Sequence, residues 1–397
     1  MKYAKRLAHL EDKSLLNAFQ LAENKDTISF SAGFPSAETY PVDAIRESMD
    51  RVLKTQGAEA LSYCSTSGYL GLREIMKERM ARKFGLHYDV GEIIITSGSQ
   101  QALDMSGMLF INEGDVVIFE APSYLGAVNA LRAYEAELVS VPTDREGMVI
   151  SALKDVLAQY KDRVRMIYVN PDFQNPTGRS WSDQRRKDFM DFMKDYDIPI
   201  LEDAAYSEIC FDGELEKPLA SYDQRGQVIY TGTFSKIFCP GLRVAWLCAR
   251  KEIMEKYLVL KNAADLSSST VAQLQMADYM THNDIDRHIR EISALYRKRR
   301  DAMAKAIDEN FPREARYVLP RGGLFIWVEL PEDKDATELL RRAGKENVSF
   351  ITGAAFYPSA KKNNEFRLNF SNMSEEVTQK GIAILGRLIA EYLTEEN

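Results

Sequence analysis

The stretch Tyr230-Thr231-Gly232-Thr233-Phe234-Ser235-Lys236-Ile237-Phe238-Cys239-Pro240-Gly241-Leu242-Arg243 carries the residue types most able to do chemistry. Val228, Ile229 and Tyr230 read as the end of a buried strand, and Val244-Ala245-Trp246-Leu247 as the start of another. A lysine between two buried strands is costly unless it is paired or used covalently. The hydroxyls of Thr233 and Ser235 and the guanidinium of Arg243 surround Lys236 with donors suited to an anion such as phosphate. An amine beside a phosphate site is what an aldehyde with a phosphate tail requires, with an imine at Lys236 and the tail held nearby. The competing reading is an exposed loop lysine next to a basic turn.

Two further stretches lie at or just beyond predicted strand ends, where α/β sheets bind ligands, and a third lies within a predicted strand. Asp203 follows Ile200-Leu201-Glu202. A carboxylate there can pair with a protonated ring nitrogen and keep the ring a good electron sink, or it can simply cap a helix. Ser97-Gly98-Ser99-Gln100-Gln101 opens a helix directly after Ile93-Ile94-Ile95. Free N–H groups at a helix start favour a phosphate, although ordinary capping by Ser97 or Ser99 explains the same letters. No Gly-Lys-Ser/Thr follows, so this is not a nucleotide-triphosphate loop. Arg367, in Phe366-Arg367-Leu368-Asn369-Phe370, can grip a carboxylate through two parallel bonds, or be a surface arginine on a half-exposed strand.

The elements that must position these residues alternate from residue 92 onward. Short apolar runs at 93–95, 116–119, 138–141, 166–169 and 198–201 are separated by helical segments. One of these, capped by Ser182, has an apolar face of Phe189, Phe192, Met193 and Tyr196. The pattern predicts a mostly parallel sheet covered on both faces. After a helical region at 251–310 the texture changes to strands at 324–328, 348–350 and 366–370, then a helix with Ile382, Leu385, Ile389 and Tyr392 on one face. The fold class is α/β: a large domain with a doubly wound sheet, at 43–285, plus a smaller α+β domain, at 286–397, with residues 1–42 joining the small domain. In the first segment, Leu7, Leu10, Leu15, Leu16 and Phe19 suggest an amphipathic stretch.

Taken together, the motifs resemble fold-type I aminotransferases of class I/II, pyridoxal-phosphate enzymes, from about residue 25 to the end. The resemblance implies an imine at Lys236 and a phosphate held by Ser99, Gln100, Thr233, Ser235 and Arg243. Asp203-Ala204-Ala205-Tyr206 matches the family's Asp-x-x-Tyr segment, which implies Asp203 on the ring nitrogen, Ala205 on one ring face and Tyr206 on the ring hydroxylate. Asn175, in Asn175-Pro176-Thr177-Gly178, matches a second partner of that oxygen at the edge of the substrate site. Tyr124, in Ala121-Pro122-Ser123-Tyr124, matches an aromatic that stacks on the ring. Arg367 and the backbone of Gly33 match the binders of the α-carboxylate. Tyr63 matches a tyrosine that reaches the partner's phosphate across a homodimer interface.

The implied reaction moves an amino group from an aromatic, branched or aminoadipate-like amino acid to a 2-oxo acid such as 2-oxoglutarate. The texture is similar to the subgroup of 2-aminoadipate, aromatic and broad-specificity aminotransferases, which also includes effector domains of regulators with a winged-helix module in front. Here the matching segment begins almost at once, which leaves no room for such a module. Aminoadipate-specific relatives carry an arginine on the first helix, whereas this chain reads Lys13-Ser14-Leu15-Leu16-Asn17. Leu15, Leu16, Phe19 and Tyr69 instead suggest room for an apolar or aromatic side chain. The alternatives are another pyridoxal-phosphate reaction on this fold, such as a C–S or β-lyase, or a ligand sensor that binds the cofactor without turnover.

Composition sets outer bounds. The 397 residues are 45% apolar and 28% charged, ordinary for a soluble globular chain, and the net charge of -8 argues against nucleic acid as partner. The four cysteines, Cys64, Cys210, Cys239 and Cys248, form no CxxC pair, so free thiols in a reducing compartment are expected. His282 and His288, six apart on one predicted polar helix, are poorly spaced as ligands, so no metal is expected. No run of about 20 apolar residues spans a membrane, and no apolar run follows the basic N-terminus, so a cytoplasmic location is expected.

Overall fold

A computed structural model describes residues 1–4, 6–7, 26–359 and 362–395. The first-segment residues Leu10, Lys13 to Asn17 and Phe19 therefore lie outside the described residues. After β1 (Ile28–Ser29), seven strands build the central sheet: β2 (Ile93–Thr96), β3 (Val116–Ala121), β4 (Glu137–Pro142), β5 (Val164–Val169), β6 (Ile200–Asp203), β7 (Val228–Thr233) and β8 (Ala245–Cys248). Their order is β2-β8-β7-β6-β5-β3-β4. Neighbours are parallel except on either side of β8, which runs against β2 and β7.

Both faces are covered, which is why the strands read as unbroken apolar runs rather than alternating ones. On one face Leu103, Val128, Met254 and Tyr257, from helices Ser99–Phe110, Leu125–Arg132 and Lys251–Ala264, pack on Ile94, Val117, Tyr168 and Leu201. On the other, Leu153, Leu157, Phe189 and Met193, from helices Ile150–Tyr160 and Asp183–Met193, pack on Ile118, Ile167 and Ile200. Ser182 caps the second of these helices, its Oγ accepting the Arg185 N–H at 3.2 Å. The expected doubly wound sheet is present.

Five further strands follow, β9 (Arg316–Tyr317), β10 (Phe325–Glu329), β11 (Val348–Ser349), β12 (Ile351–Thr352) and β13 (Glu365–Asn369), and all but β11 form a second sheet. Four of these pair antiparallel in the order β12-β13-β10-β9, while β11 pairs in parallel with β1. The first segment is joined to the second sheet by the Asn369 N–H, which donates to the Phe30 carbonyl at 2.9 Å. Helix Glu375–Thr394 buries Ile382, Leu385, Ile389 and Tyr392, as its apolar periodicity implies.

Several local expectations change. Strand β7 does not end near Tyr230 but continues to Thr233, because Gly232 leaves room for the Trp246 ring: a Cβ there would lie 2.2 Å from Trp246 Cζ2. His282 ends helix Thr270–His282 and His288 belongs to helix Ile285–Asn310, so the two histidines do not share a helix. Strand β13 is buried at all five positions rather than half-exposed. Phe366 and Leu368 enter the core, and the Arg367 face is covered by the Ser31 segment and by Phe356. Among the described residues no helix is long and apolar enough to cross a membrane.

The loop between β5 and helix Asp183–Met193 is held by one buried cation. Arg186 donates to Asp172 Oδ1 at 2.5 Å and to the carbonyls of Pro171, Trp181 and Lys217 at 3.1, 3.3 and 3.2 Å. This clamps both ends of the loop that carries Asn175. Removing one partner of a buried ion pair costs about 3–5 kcal/mol. Arg186→Leu is therefore expected to lower unfolding free energy by about that amount in a urea titration; an unchanged midpoint would show that the clamp carries no stability.

Candidate active site

The ends of β5, β6 and β7 bring the candidate residues together. Lys236 sits in the short helix Phe234–Ile237, whose N-cap is Thr233: the Thr233 Oγ1 accepts the Ser235 N–H at 3.1 Å. The Lys236 Nζ donates to the Gly33 carbonyl at 2.8 Å. Burial lowers this amine to about 8, helped by the charges of Arg367 and Arg243 and opposed by Asp203. The lysine is thus no free loop residue.

Arg243 follows the turn Pro240–Leu242 in a left-handed conformation, φ 54°. Its Nη1 donates to Ser235 Oγ at 3.3 Å. The guanidinium lies against Gly98, where a Cβ would meet Nη2 at 2.1 Å, and Gly98 has φ +78°. Glycine is required there on both counts. Gly98 is also the N-cap of helix Ser99–Phe110, and no side chain caps it. Capping by Ser97 or Ser99, the ordinary explanation of those serines, is therefore absent, and the helix start next to Arg243 is left for an anion. The Gln100 side-chain amide gives one of its two N–H donors to the Gly126 carbonyl at 3.0 Å, which leaves the other and the backbone N–H for a phosphate. Thr233 and Ser235 each accept a hydrogen bond, which leaves their hydroxyl protons to donate elsewhere.

Asp203 ends β6 with no helix following, so it caps nothing. It is 3% exposed, and burial raises its carboxyl to about 6 against the Tyr168 hydroxyl, the Ala205 N–H and the charge of Lys236. Tyr168 donates to Oδ2 at 2.9 Å, while Oδ1 is buried and makes no hydrogen bond. Ala205 and Tyr206 follow, both buried. The Tyr206 hydroxyl accepts from Asn175 Nδ2 at 3.3 Å, and its own proton is free. Burial pushes that phenol up. Tyr124, half-buried at the start of helix Leu125–Arg132, is raised to about 12 by burial and by Asp203.

Arg367 is 4% exposed and has neutral partners only. Nη1 donates to Asn175 Oδ1 at 2.7 Å, Nη2 to the Ser31 carbonyl, and the buried Nε to nothing. The guanidinium lies 4.2 Å from the Phe325 ring centroid and 5.1 Å from that of Phe356. Burial lowers it to about 10. Gly33 must be small because a Cβ would lie 2.8 Å from Phe325 Cζ.

Tyr63 is not brought into this network. It is 89% exposed, beyond helix Val42–Ala60. Sequence reasoning gave no role to Tyr168, Asn170, Ser31, Phe325 or Phe356. Asn170 donates to the Asp203 carbonyl at 2.5 Å and accepts the Asn175 N–H at 2.9 Å, so it joins the two segments. A polar residue closing a strand two positions after a tyrosine was the available signal. Tyr69 donates its hydroxyl to Gln56 at 3.4 Å.

The charges of Arg367 and Arg243 therefore both bear on the Lys236 amine, opposed there by the Asp203 carboxylate. That excess of positive charge, the uncapped helix start, the two available hydroxyls and the orphaned Asp203 Oδ1 fit a pyridine aldehyde with a phosphate tail. No group of three or more histidine, cysteine or acidic side chains disposed for a metal occurs among the described residues.

Residues 25–385 match the family described as aminotransferase class I and II. The aromatic-amino-acid aminotransferase 1 of Thermococcus litoralis is 37% identical, over 98% of this chain and 94% of that protein. The 2-aminoadipate transaminase of Thermus thermophilus is 35% identical, over 98% of this chain and 96% of that protein. Among solved structures, the kynurenine aminotransferase of Pyrococcus horikoshii superposes with a TM-score of 0.94 at 36% identity, covering 99% of this chain and 98% of that one. The chain belongs to the class I and II aminotransferases, and it is a pyridoxal-phosphate-dependent transaminase.

Proposed function

We propose that the protein transfers the amino group of an aromatic, branched or aminoadipate-like amino acid to a 2-oxo acid such as 2-oxoglutarate, with a preference for apolar and aromatic donors. One observation carries the substrate side of this reading: Arg367 is a buried cation with no acidic partner, and a bound α-carboxylate supplies one. The apolar preference rests on the leucines of the first segment and on the absence of an arginine at 13–17. The relatives named for aromatic amino acids and kynurenine support it.

Bound pyridoxal phosphate supplies an aldehyde that takes up the amino group and a ring that holds the electrons left at Cα. In this reading Arg243, Thr233, Ser235, the Ser99 hydroxyl and the Gln100 N–H hold the phosphate. Asp203 would pair with the ring nitrogen, Tyr124 and Ala205 would flank the ring, and Asn175 and Tyr206 would hold the ring oxygen. Arg367 and the Gly33 backbone orient the donor's carboxylate. Lys236 would hold the aldehyde covalently through its amine, and the neutral amine would be placed to take the proton from the donor's Cα. A positioned base of this kind contributes about 10²–10⁴-fold.

The division at 1–42, 43–285 and 286–397 belongs to this reading, since Ser31 and Gly33 of the first segment touch Arg367 and Lys236. So does a homodimer with Tyr63 reaching the partner's phosphate site. Val42, Leu53, Leu61, Tyr63 and Leu70 form a set of exposed apolar side chains on one stretch of chain. A cytoplasmic location accords with four free cysteines.

A donor panel tests the function directly. The wild-type enzyme is expected to convert aromatic and branched amino acids faster than 2-aminoadipate, and Lys236→Ala to convert none. A strong aminoadipate preference overturns the apolar reading, and turnover by Lys236→Ala overturns the role of the lysine. The lowered lysine also has a pH signature. Only the neutral amine attacks an aldehyde, so uptake of cofactor by the apoprotein should accelerate about tenfold per pH unit and level off near the value for Lys236, about 8. A rise continuing towards about 10.4, as for a free lysine, would contradict it. Light scattering is expected to give twice the chain mass, with Leu61→Asp shifting it to one; a wild-type monomer would remove the shared site.

A further inference from the structure

The two oxygens of Asp203 are treated unequally. Strands β5 and β6 pair in parallel with Tyr168 opposite Leu201, and Asp203 lies two residues beyond Leu201. The period-two alternation of strands puts Tyr168 and Asp203 on one face. Tyr168 is fully buried, with its ring 5.4 Å from that of Phe119, and its hydroxyl donates to Oδ2 at 2.9 Å. Oδ1 is left buried and without a partner. Asn170, on the same segment as Tyr168, fixes the Asp203 main-chain carbonyl at 2.5 Å. Both the backbone and one carboxylate oxygen are thereby held. Burial and the neighbouring Asp203 charge keep the Tyr168 phenol protonated, so it acts only as a donor.

We propose that Tyr168 is a positioning residue of the cofactor site: by occupying Oδ2 it turns Oδ1 towards the ring nitrogen of the cofactor and holds the carboxylate as the anion that a ring N–H requires. This rests on the pairing of Asp203 with the ring nitrogen. A hydrogen bond to an ionised acceptor is about twice as strong as a neutral one. Its loss makes the carboxylate more basic, and the proton between ring nitrogen and Oδ1 shifts towards the oxygen. Tyr168 does not touch the cofactor in this arrangement; it acts through Asp203. If Tyr168 served only to fill the layer beneath helix Ser99–Phe110, loss of the hydroxyl would change stability and leave the ring unaffected.

The test uses holoenzyme loaded with cofactor labelled with ¹⁵N in the ring. Tyr168→Phe keeps the aromatic ring and removes the hydroxyl. It is expected to move the ring ¹⁵N resonance from the protonated towards the unprotonated pyridine position and to weaken cofactor binding, measured by equilibrium dialysis, by about tenfold. Phe119→Leu loosens the packing on Tyr168 but keeps its hydroxyl; it is expected to lower the melting temperature and leave the resonance in place. Asp203→Asn separates the two layers of the argument. If Asp203→Asn moves the resonance and Tyr168→Phe does not, the role of Tyr168 is overturned while the Asp203 pairing stands. If Asp203→Asn leaves it at the protonated position, the pairing itself falls. A shift in Phe119→Leu equal to that in Tyr168→Phe would assign the effect to packing and overturn the proposal.

Discussion

The charges of Arg367 and Arg243 bear on the buried Lys236 amine, and the Asp203 carboxylate opposes them there. Burial shifts both the lysine and Arg367 towards the neutral form, and for the lysine the charges of Arg367 and Arg243 add to that shift. The surrounding fold tolerates these cations by distributing neutral acceptors: the Gly33 and Ser31 carbonyls, the Asn175 amide oxygen and the faces of Phe325 and Phe356. These ligands satisfy geometry without cancelling charge. A phosphate and a substrate carboxylate cancel it, so binding and stability are linked, and the loaded protein is the more stable one.

The chain was most legible where local chemistry and local structure coincide. The apolar runs before Asp203 and Thr233, with Pro240-Gly241 after Lys236, locate the lysine segment and the strand-end carboxylate from sequence alone, and the alternation of runs with helical periods gives the wound sheet. The sequence left alternatives open where a distant segment decides an environment. Arg367 sits in an alternating pattern that implies a wet face, but the Ser31 segment and Phe356 cover that face. The Gly126 carbonyl of helix Leu125–Arg132 takes one amide N–H of Gln100, a contact with no signal in the local sequence. Tyr168 and Asn170 carry no motif and read as an ordinary buried strand and its turn; their meaning comes from the neighbour strand β6. Tyr63 points outward, and a single chain gives it no partner in the site.

The first segment has a part that its length does not suggest. Its strand β1 pairs with β11 in a two-stranded sheet of their own, and a few residues on, Ser31 and Gly33 supply carbonyls to Arg367 and to Lys236. Two cations carried by different sheets are therefore registered against one short peptide. Asn175 does the same from the other side, linking Tyr206 at the end of the first sheet to Arg367 in the second. The loop that carries Asn175 is in turn anchored by Arg186.

The reversed direction of β8 has a topological effect. Two parallel neighbours need a crossover of a dozen or more residues, usually a helix traversing the length of the sheet. Because β8 returns antiparallel to β7, the chain turns back at the same rim it has just reached, and residues 236 to 243 stay there. The amine and the guanidinium are thereby delivered by one compact loop, and their separation is set by sheet polarity instead of by long-range packing. A same-direction strand at that place in the order would carry the arginine away over a connecting helix, and an amine and an anion grip would have to be assembled from unrelated parts of the molecule.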